Sequence, residues 1–331
     1  MSKVSVIGAG SWGTALATVL ASKKTDVSIW ARNSQQLEDM RIHRENRKYL
    51  PGVKLEDSIT MNDSMEEAIK GSDAVLFSVP TQAFRETFKK ALPFITDEMI
   101  VINVAKGIEQ HTLKRVSEIA YELKPDVKFC VLSGPSHAEE VGRKMPTAVS
   151  VVSNDMKIAE YVQDLFFTDR FRTYVNNDLV GVEIGSALKN IIALGTGISD
   201  GMGFGDNAKA GIMTRGLTEI ARLGIALGAD RETFLGLTGV GDLIVTCTSM
   251  HSRNRRCGIL IGQGKSPEEA TKEIGMVVES MYTTEAAYEL AQKVGVEMPI
   301  THMIYDLIRG NLEAADAVEL LMGREKKHEK I

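Results

Sequence analysis

Cysteine is scarce in this chain of 331 residues, which contains three: Cys130, Cys247 and Cys257. An odd number without the close spacing of metal ligands argues against a disulfide framework and against a cysteine-based metal site. We therefore expect reduced thiols or small core residues, and no bound metal.

An excess of positive charge is also missing, because 39 Lys and Arg stand against 44 Asp and Glu, for a net charge of −5. This balance argues against general affinity for nucleic acid. No stretch approaches a membrane span, and the first strand follows residues 1–3 at once, which leaves no room for a signal peptide. We expect a cytoplasmic protein without membrane insertion, whose basic cluster at 253–256 has a local role.

Internal repeats, low-complexity tracts and long linkers are absent, and two contrasting patterns divide the chain. In the N-terminal half, short apolar strands alternate with helical segments, which predicts a doubly wound α/β sheet. From Asp178 onward apolar residues recur at the helical period, without a convincing strand. The predicted domains are 1–178 and an all-helical 179–331. Strands are predicted near 3–7, 27–30, 59–62, 73–79, 99–104, 128–132, 147–152 and 171–175, and C-terminal helices over 178–200, 206–228, 253–263, 266–274, 283–294, 300–309 and 312–322.

Three spaced glycines, Gly8, Gly10 and Gly13, join the first apolar strand to a helix that ends near Ala21. Gly8 permits a tight turn, Gly10 lets the backbone approach a diphosphate, and Gly13 lets the helix pack on the strand. The helix N-terminus adds free N–H groups and a positive dipole. In this context the motif predicts a Rossmann-type dinucleotide site rather than an ordinary glycine-rich turn.

The end of the second predicted strand indicates which dinucleotide binds. An NAD site carries an acid there for the adenosine ribose, but no Asp or Glu occurs between Asp26 and Glu38, and the strand runs into Ala31-Arg32-Asn33. Arg32 is suited to a 2′-phosphate. This favours NADP, with NAD tolerated, although a solvated Arg32 at a helix start is an equally common interpretation.

Small and polar residues follow the later predicted strands, at the edge where open parallel sheets bind ligands. Lys106 and Gly107 come after strand 99–104, and Ser-Gly-Pro-Ser-His at 133–137 comes after strand 128–132. Lys106 is therefore expected to point toward the nicotinamide. Lysines in such places are more often solvated, which is the alternative.

Lys189 lies on a stripe of small residues along the helix predicted over 180–197, opposite a strongly apolar stripe. This pattern predicts a packed helix with a groove left for a ligand at the lysine. Alternatively, the small residues admit a neighbouring helix and Lys189 extends to solvent. The small stripe comprises Gly185, Ser186, Ala193, Thr196 and Gly197, and the apolar stripe Ile184, Leu188, Ile191 and Ile198.

Asp242 stands among small and apolar residues, at 236–249, and so needs a cationic or hydrogen-bonding partner. Lys106 and Lys189 are the candidates. A helix N-cap is the alternative, because Asp suits that position.

Ser252-Arg253-Asn254 combines a hydroxyl, a guanidinium and an amide. Such a set suits a small phosphate. It also suits the start of a helix, whose N-terminus attracts anions.

Taken together, these motifs resemble the bacterial NAD(P)-dependent glycerol-3-phosphate dehydrogenases over residues 4 to about 322. Many relatives carry a second basic residue where this chain has Asn33, a departure that bears on the strength of the NADPH preference. The resemblance implies a homodimer and a small phosphorylated substrate, dihydroxyacetone phosphate or glycerol 3-phosphate. The matching stretches are 8–17, 133–141, 181–185, 188–191, 238–243 and 252–254.

The resemblance also assigns residues, beginning with Lys189 as the proton acceptor. Substrate residues by resemblance are Lys106, Gly134, Ser136, Lys189, Asp242, Ser252, Arg253 and Asn254. Residues that contact NADP or NAD are Ser11, Trp12, Arg32, Tyr49, Lys106, Ala138, Arg253, Val277 and Glu279, beside Gly8, Gly10 and Gly13.

The expected reaction transfers hydride from the nicotinamide to C2 of dihydroxyacetone phosphate, and its product serves glycerophospholipid synthesis. Lys189 delivers the proton and Lys106 polarises the carbonyl. Burial and Lys106 should lower the pKa of Lys189, whereas Asp242 should moderate that shift.

Two other functions remain open at this point. A dehydrogenase of similar domains could act on a β-hydroxy acid or acyl-CoA with His137 as base, but the phosphate-like set at 252–254 argues against it. A non-enzymatic NADP sensor would leave Lys106, Lys189 and Asp242 without a purpose.

Overall fold

The eight predicted strands form one sheet in the structure, a computed structural model that describes residues 2–326 and 328. In chain order the strands are β1 (Lys3–Ile7), β2 (Asp26–Trp30), β3 (Glu45–Asn46), β4 (Leu50–Lys54), β5 (Ile59–Asn62), β6 (Ala74–Phe77), β7 (Ile100–Asn103), β8 (Lys128–Ser133), β9 (Thr147–Val152) and β10 (Phe171–Asn176). The sheet has the order β10-β9-β8-β7-β6-β1-β2-β5, and all of its neighbours pair in parallel except β8 with β9.

Helices cover the sheet, and its central strands are therefore apolar on both faces. All four residues of β6 and of β7 are buried. This confirms the predicted Rossmann-type architecture. The helices of this unit are α1 (Ser11–Ser22), α2 (Ser34–His43), α3 (Met65–Ile69), α4 (Thr81–Ala91), α5 (Val116–Leu123), α6 (Ala138–Gly142) and α7 (Met156–Phe166), with a 3₁₀ turn at Leu92–Phe94.

The hairpin β3–β4 was not predicted. Its first strand has two residues, and Pro51 and Gly52, two poor strand formers, stand in the second. The Asn46 amide nitrogen donates to the Ala9 carbonyl oxygen at 3.0 Å and to the Thr14 hydroxyl at 2.8 Å. The hairpin is thus tied to the glycine turn.

The second compact unit contains residues 180–326 and 328 together with a ten-residue segment, Lys106–Arg115, that follows β7 in the chain. No sequence pattern indicates that this segment belongs to the helical unit. No strand occurs in the part of this unit that the structure describes. Its helices are α8 (Leu179–Gly201), α9 (Asp206–Ala226), α10 (Asp242–Thr248), α11 (Arg253–Gly262), α12 (Pro267–Ile274), α13 (Glu279–Val294), α14 (Pro299–Arg309) and α15 (Ala314–Met322), with a 3₁₀ turn at Arg231–Leu235 and a π-helical turn at Leu237–Gly241.

The long helix α8 is apolar enough, at a mean hydropathy of 1.3, and long enough, at 23 residues, to cross a membrane by length and composition alone. The sequence analysis expected no such stretch. In the structure 89% of its most apolar window is buried inside the protein. A buried core helix can meet the same criteria of length and hydropathy, because its side chains contact other apolar side chains.

Helices α8 and α11 touch through glycines. A Cβ on Gly197 would lie 2.1 Å from the Arg255 carbonyl oxygen, and one on Gly258 would lie 2.1 Å from the Leu194 carbonyl oxygen. We call Gly197 and Gly258 the glycine seam. Part of the small-residue stripe on α8 therefore admits a neighbouring helix, as the alternative interpretation held.

Candidate functional site

The carboxylate of Asp242 lies between two lysines in the helical unit. Lys189 Nζ is 2.6 Å from Asp242 Oδ1, and Lys106 Nζ is 2.9 Å from Oδ2. Asp242 and Lys189 are buried, at 1% and 5% exposure, and the Lys106 side chain is 16% exposed. The structure thus brings the three predicted catalytic residues together, and we call them the lysine–aspartate cluster. Lys189 does not extend to solvent.

Three separate elements supply this cluster. Lys189 is in the middle of α8, Asp242 is the first residue of α10, and Lys106 opens the segment that follows β7. The N-cap of α10 is Gly241, and Asp242 is the first residue inside the helix. It is therefore the partner of two ammonium groups and not an N-cap.

Thr246 is a fourth member that the sequence analysis missed. Its hydroxyl donates to the Asp242 carbonyl oxygen at 2.6 Å and accepts from Lys189 Nζ at 2.6 Å. Position 246 lies one helical turn beyond Asp242, on the same face of α10. That spacing was the one available signal.

The surroundings of Lys189 lower the pKa of its amine. Burial lowers the pKa of Lys189 to about 8, because the attraction of Asp242 only partly offsets desolvation and Lys106 repels a second positive charge. Burial raises the pKa of Asp242, but the two ammonium groups outweigh it and the net shift is downward. An amine with a pKa near 8 can donate or accept a proton near neutrality.

Asparagines link the cluster to α11 and α13. The Asn190 amide donates to the Lys106 carbonyl oxygen at 3.1 Å, and Asn254 donates to the Asn190 side-chain oxygen at 2.9 Å. Asn254 in turn accepts from the Ser280 backbone N–H at 3.0 Å. Asn254 is buried, so the structure places it behind Lys106 in a bridge between helices.

The basic run at 253–256 has local partners. Ser252 caps α11 by accepting from the Arg255 N–H at 3.2 Å. Arg253 donates to the Val277 carbonyl oxygen at 2.8 Å, which joins two predicted cofactor residues. The Arg255 guanidinium pairs with Asp200 at 2.7 Å. Glu279, another predicted cofactor residue, begins α13 two positions beyond Val277.

The three cysteines are free and buried, as predicted. Burial raises the pKa of Cys130 and that of Cys247 to about 12. Neither thiol is a nucleophile near neutrality, because the thiolate is the reactive form.

The glycine turn of the sheet unit has the shape that a dinucleotide requires. Gly8 has φ +113°, and a Cβ there would lie 2.3 Å from the Ser78 carbonyl oxygen, while one on Gly13 would lie 2.2 Å from the Gly8 carbonyl oxygen. Gly10 has open space where its Cβ would be. The buried Trp12 indole N–H has no hydrogen-bond partner among the described residues. Open space and an orphan donor beside a helix N-terminus fit a bound diphosphate.

We expect Gly10→Ala to separate folding from binding. The change meets no protein atom within 4 Å, so the melting temperature should stay within about 3 °C. The methyl group would occupy the place of the diphosphate, and the Kd for NADPH should rise at least roughly tenfold, or about 1.4 kcal/mol. Fluorescence titration and thermal melting measure the two quantities.

Gly13→Ala is the matched control, because its Cβ meets a backbone oxygen. It should lower both stability and affinity. An unchanged Kd in Gly10→Ala would show that the diphosphate does not lie against this turn.

Other predicted residues of the sheet unit lie at strand ends and in loops. Arg32 is exposed between β2 and α2, and Asn33 caps α2 by accepting from the Gln36 N–H. Tyr49, in the β3–β4 hairpin, lies beneath the Lys48 ammonium at 5.0 Å. The remaining residues, Ser11 at the start of α1, Gly134 and Ser136 after β8, and Ala138 at the start of α6, share this unit, and so does His137.

Comparison with known proteins gives consistent matches over the whole chain. Models of the NAD-dependent glycerol-3-phosphate dehydrogenase N-terminus and C-terminus match residues 3–159 and 178–319. Glycerol-3-phosphate dehydrogenase (NAD(P)+) of Pelotomaculum thermopropionicum is 54% identical over 99% of this chain and 95% of its own length. That of Bacillus subtilis is 52% identical over 99% and 96%. The crystal structure of glycerol-3-phosphate dehydrogenase from Coxiella burnetii superposes with a TM-score of 0.93 at 37% identity, covering 98% of this chain and 99% of that one.

Proposed function

Because the chain belongs to the NAD-dependent glycerol-3-phosphate dehydrogenase family, we propose that its reaction takes place at the lysine–aspartate cluster. The chain is an oxidoreductase, a glycerol-3-phosphate dehydrogenase that uses NAD or NADP. The observation that carries the proposed site is the buried Lys189 amine, 2.6 Å from Asp242 and next to a second ammonium group.

The reaction needs a hydride at C2 of dihydroxyacetone phosphate, which NAD(P)H would supply when bound. Lys189 gives its proton to the carbonyl oxygen, so that ketone, hydride and proton yield the secondary alcohol of glycerol 3-phosphate. In the reverse direction neutral Lys189 takes the hydroxyl proton. Lys106 polarises the carbonyl. Asp242 pairs with both ammonium groups, and because one carboxylate faces two cations, the cluster keeps a net positive charge.

The phosphate of the substrate is assigned to Ser252 and Arg253, with Gly134 and Ser136 as further substrate residues. The guanidinium supplies charge-assisted hydrogen bonds. Asn254 takes part through Asn190, since its amide is engaged by protein groups on both sides.

The coenzyme is assigned to the glycine turn and its neighbours. NADPH is the preferred form. An NAD site carries a ribose-binding acid after the second strand, and that acid would repel a 2′-phosphate, whereas this chain has Arg32 in that region. The proposed contacts are Gly8, Gly10, Ser11, Trp12, Gly13, Arg32, Tyr49, Lys106, Ala138, Arg253, Val277 and Glu279.

Opposite pH limbs are expected for the two directions of the reaction. Reduction needs protonated Lys189, so kcat/KM for dihydroxyacetone phosphate should be level below about pH 8 and fall roughly tenfold per unit above it. Oxidation needs the neutral amine, so kcat/KM for glycerol 3-phosphate should rise through the same pH. Initial rates from pH 7 to 10 in both directions measure this. Limbs of the same sign in both directions would contradict the acid–base assignment.

An absorbance assay at the NADPH band tests the function as a whole. Dihydroxyacetone phosphate should oxidise NADPH, and NADH at a lower rate, whereas acetoacetyl-CoA should oxidise neither. Turnover of acetoacetyl-CoA alone would favour the alternative with His137 as base. NADPH binding without oxidation would favour a sensor.

We further propose a cellular setting for this activity. Glycerol 3-phosphate is the backbone of glycerophospholipids, and the enzyme would supply it in the cytoplasm as a homodimer. Light scattering at micromolar concentration tests the dimer, which a mass of 36.2 kDa in solution would contradict.

A further inference from the structure

The segment Lys106–Arg115 is attached to α8 at both ends, and we call it the strap. At its start the Asn190 amide donates to the Lys106 carbonyl oxygen at 3.1 Å, and at its end Arg115 Nη1 is 2.8 Å from Glu183 Oε2. Glu183 and Asn190 are seven residues apart on α8, which places them on one face about 10.5 Å apart along the axis. One helix face thus fixes both ends of the strap.

The middle of the strap is attached as well. Ile108 is fully buried in the helical core, and the Gln110 amide donates to the Glu285 carboxylate on α13. His111 and Leu113 have φ of 65° and 60°, in the left-handed region that residues with side chains rarely adopt. The strap would not keep this shape without its contacts, because such conformations persist only where the surroundings enforce them.

We propose that the Arg115–Glu183 ion pair is a positioning contact for Lys106, which keeps its ammonium group on Asp242. This rests on the proposed role of the lysine–aspartate cluster. Glu183 is 5% and the Arg115 side chain 16% exposed, so the pair is shielded from competing water. Arg115 is the last residue of the strap before α5 begins, and loss of the ion pair would remove one of the contacts that hold the strained half of the strap.

Displacement of Lys106 has two consequences that a loss of stability alone does not have. The substrate carbonyl loses a polarising ammonium group. Lys189 loses the neighbour that repels its proton, and its pKa rises above about 8.

The test compares Arg115→Met, Arg115→Lys and a control, Lys209→Met. Lys209 has the same 16% exposure, and its ion pairs among the described residues are with Asp200 at 2.8 Å and Asp206 at 3.5 Å, outside the strap. Arg115→Met should lower kcat/KM for dihydroxyacetone phosphate roughly 10- to 100-fold, since small misplacements of a catalytic group have effects of this size. Its alkaline limb should move to higher pH. Arg115→Lys should recover most of the rate, and Lys209→Met should match the parent.

A double variant decides whether Arg115 acts through Lys106. If it does, Arg115→Met should have little further effect on a Lys106→Met background, because effects on one shared interaction are not additive. If Arg115→Met folds poorly, Glu183→Gln can replace it in the test. Glu183→Gln breaks the same ion pair, keeps the volume of the side chain, and should show the same loss of kcat/KM.

Additive losses, or an unmoved alkaline limb, would overturn the proposal. If Lys106→Met and Lys189→Ala lose activity while Arg115→Met does not, the strap proposal fails and the proposed function stands. If Lys189→Ala stays active, the proposed site itself fails.

Discussion

Lys189→Ala is expected to lower the turnover of dihydroxyacetone phosphate about 10²–10⁴-fold, the usual range for loss of a general acid. The variant should still fold, because Asp242 keeps Lys106 as its partner at 2.9 Å. It should also still bind NADPH, since the glycine turn belongs to the other unit.

Single-turnover absorbance, NADPH titration and thermal melting together measure this result. Lys209→Ala is the matched control, a lysine of the helical unit that is paired with a carboxylate elsewhere. Retention of more than about a tenth of the rate in Lys189→Ala would remove Lys189 from the acid–base role.

Asp242→Asn is expected to have the second large effect, since it leaves two ammonium groups facing each other in a buried place. Loss of the shared anion should destabilise the helical unit by about 3–5 kcal/mol. The pKa of Lys189 should fall below about 8, because burial and Lys106 both lower it and the attraction of Asp242 is gone. The alkaline limb of ketone reduction should therefore move to lower pH, while kcat/KM falls at least roughly 100-fold.

Asp200→Asn provides the comparison for this variant. Asp200 also joins two cations, Arg255 at 2.7 Å and Lys209 at 2.8 Å. Its loss should lower the melting temperature without moving the pH profile. An Asp242→Asn enzyme that keeps the parent limb would show that Asp242 does not set the protonation of Lys189.

Local patterns predicted much of this molecule. Most strands of the main sheet are short apolar runs between turn residues, and the glycine turn has a fixed spacing, so both can be recognised within a window of ten to twenty residues. Asp242 was recognisable because an acid in an apolar stretch requires a partner. Its two partners, however, are 53 and 136 residues away.

Features that depend on distant contacts were missed. The strap follows a sheet strand in sequence, and nothing in it shows that Ile108 is buried in the helical core. Thr246 looks like an ordinary helical threonine until Lys189 is beside it. The hairpin β3–β4 is held by Asn46, whose acceptors lie more than thirty residues earlier.

The stripe of small residues along α8 had two interpretations, a ligand groove and a contact with a neighbouring helix, and each agrees with part of the structure. Small residues indicated a groove for a ligand. At Gly185 and Gly197 the space is filled by the backbone of neighbouring turns, since a Cβ would lie 2.8 Å from the Thr238 carbonyl oxygen and 2.1 Å from the Arg255 carbonyl oxygen. Lys189 is nonetheless buried beside Asp242, as the functional interpretation required.

The glycine seam restricts how this protein can change during evolution. Glycine inside a helix costs about 1 kcal/mol relative to alanine, and replacing it is a common route to thermal tolerance. At Gly197 and Gly258 that route is closed, because the obstacle is a main-chain oxygen that cannot rotate away. A lineage adapting to heat would have to gain its stability elsewhere, and the two helices joined at the glycine seam would change in sequence more slowly than the surface around them.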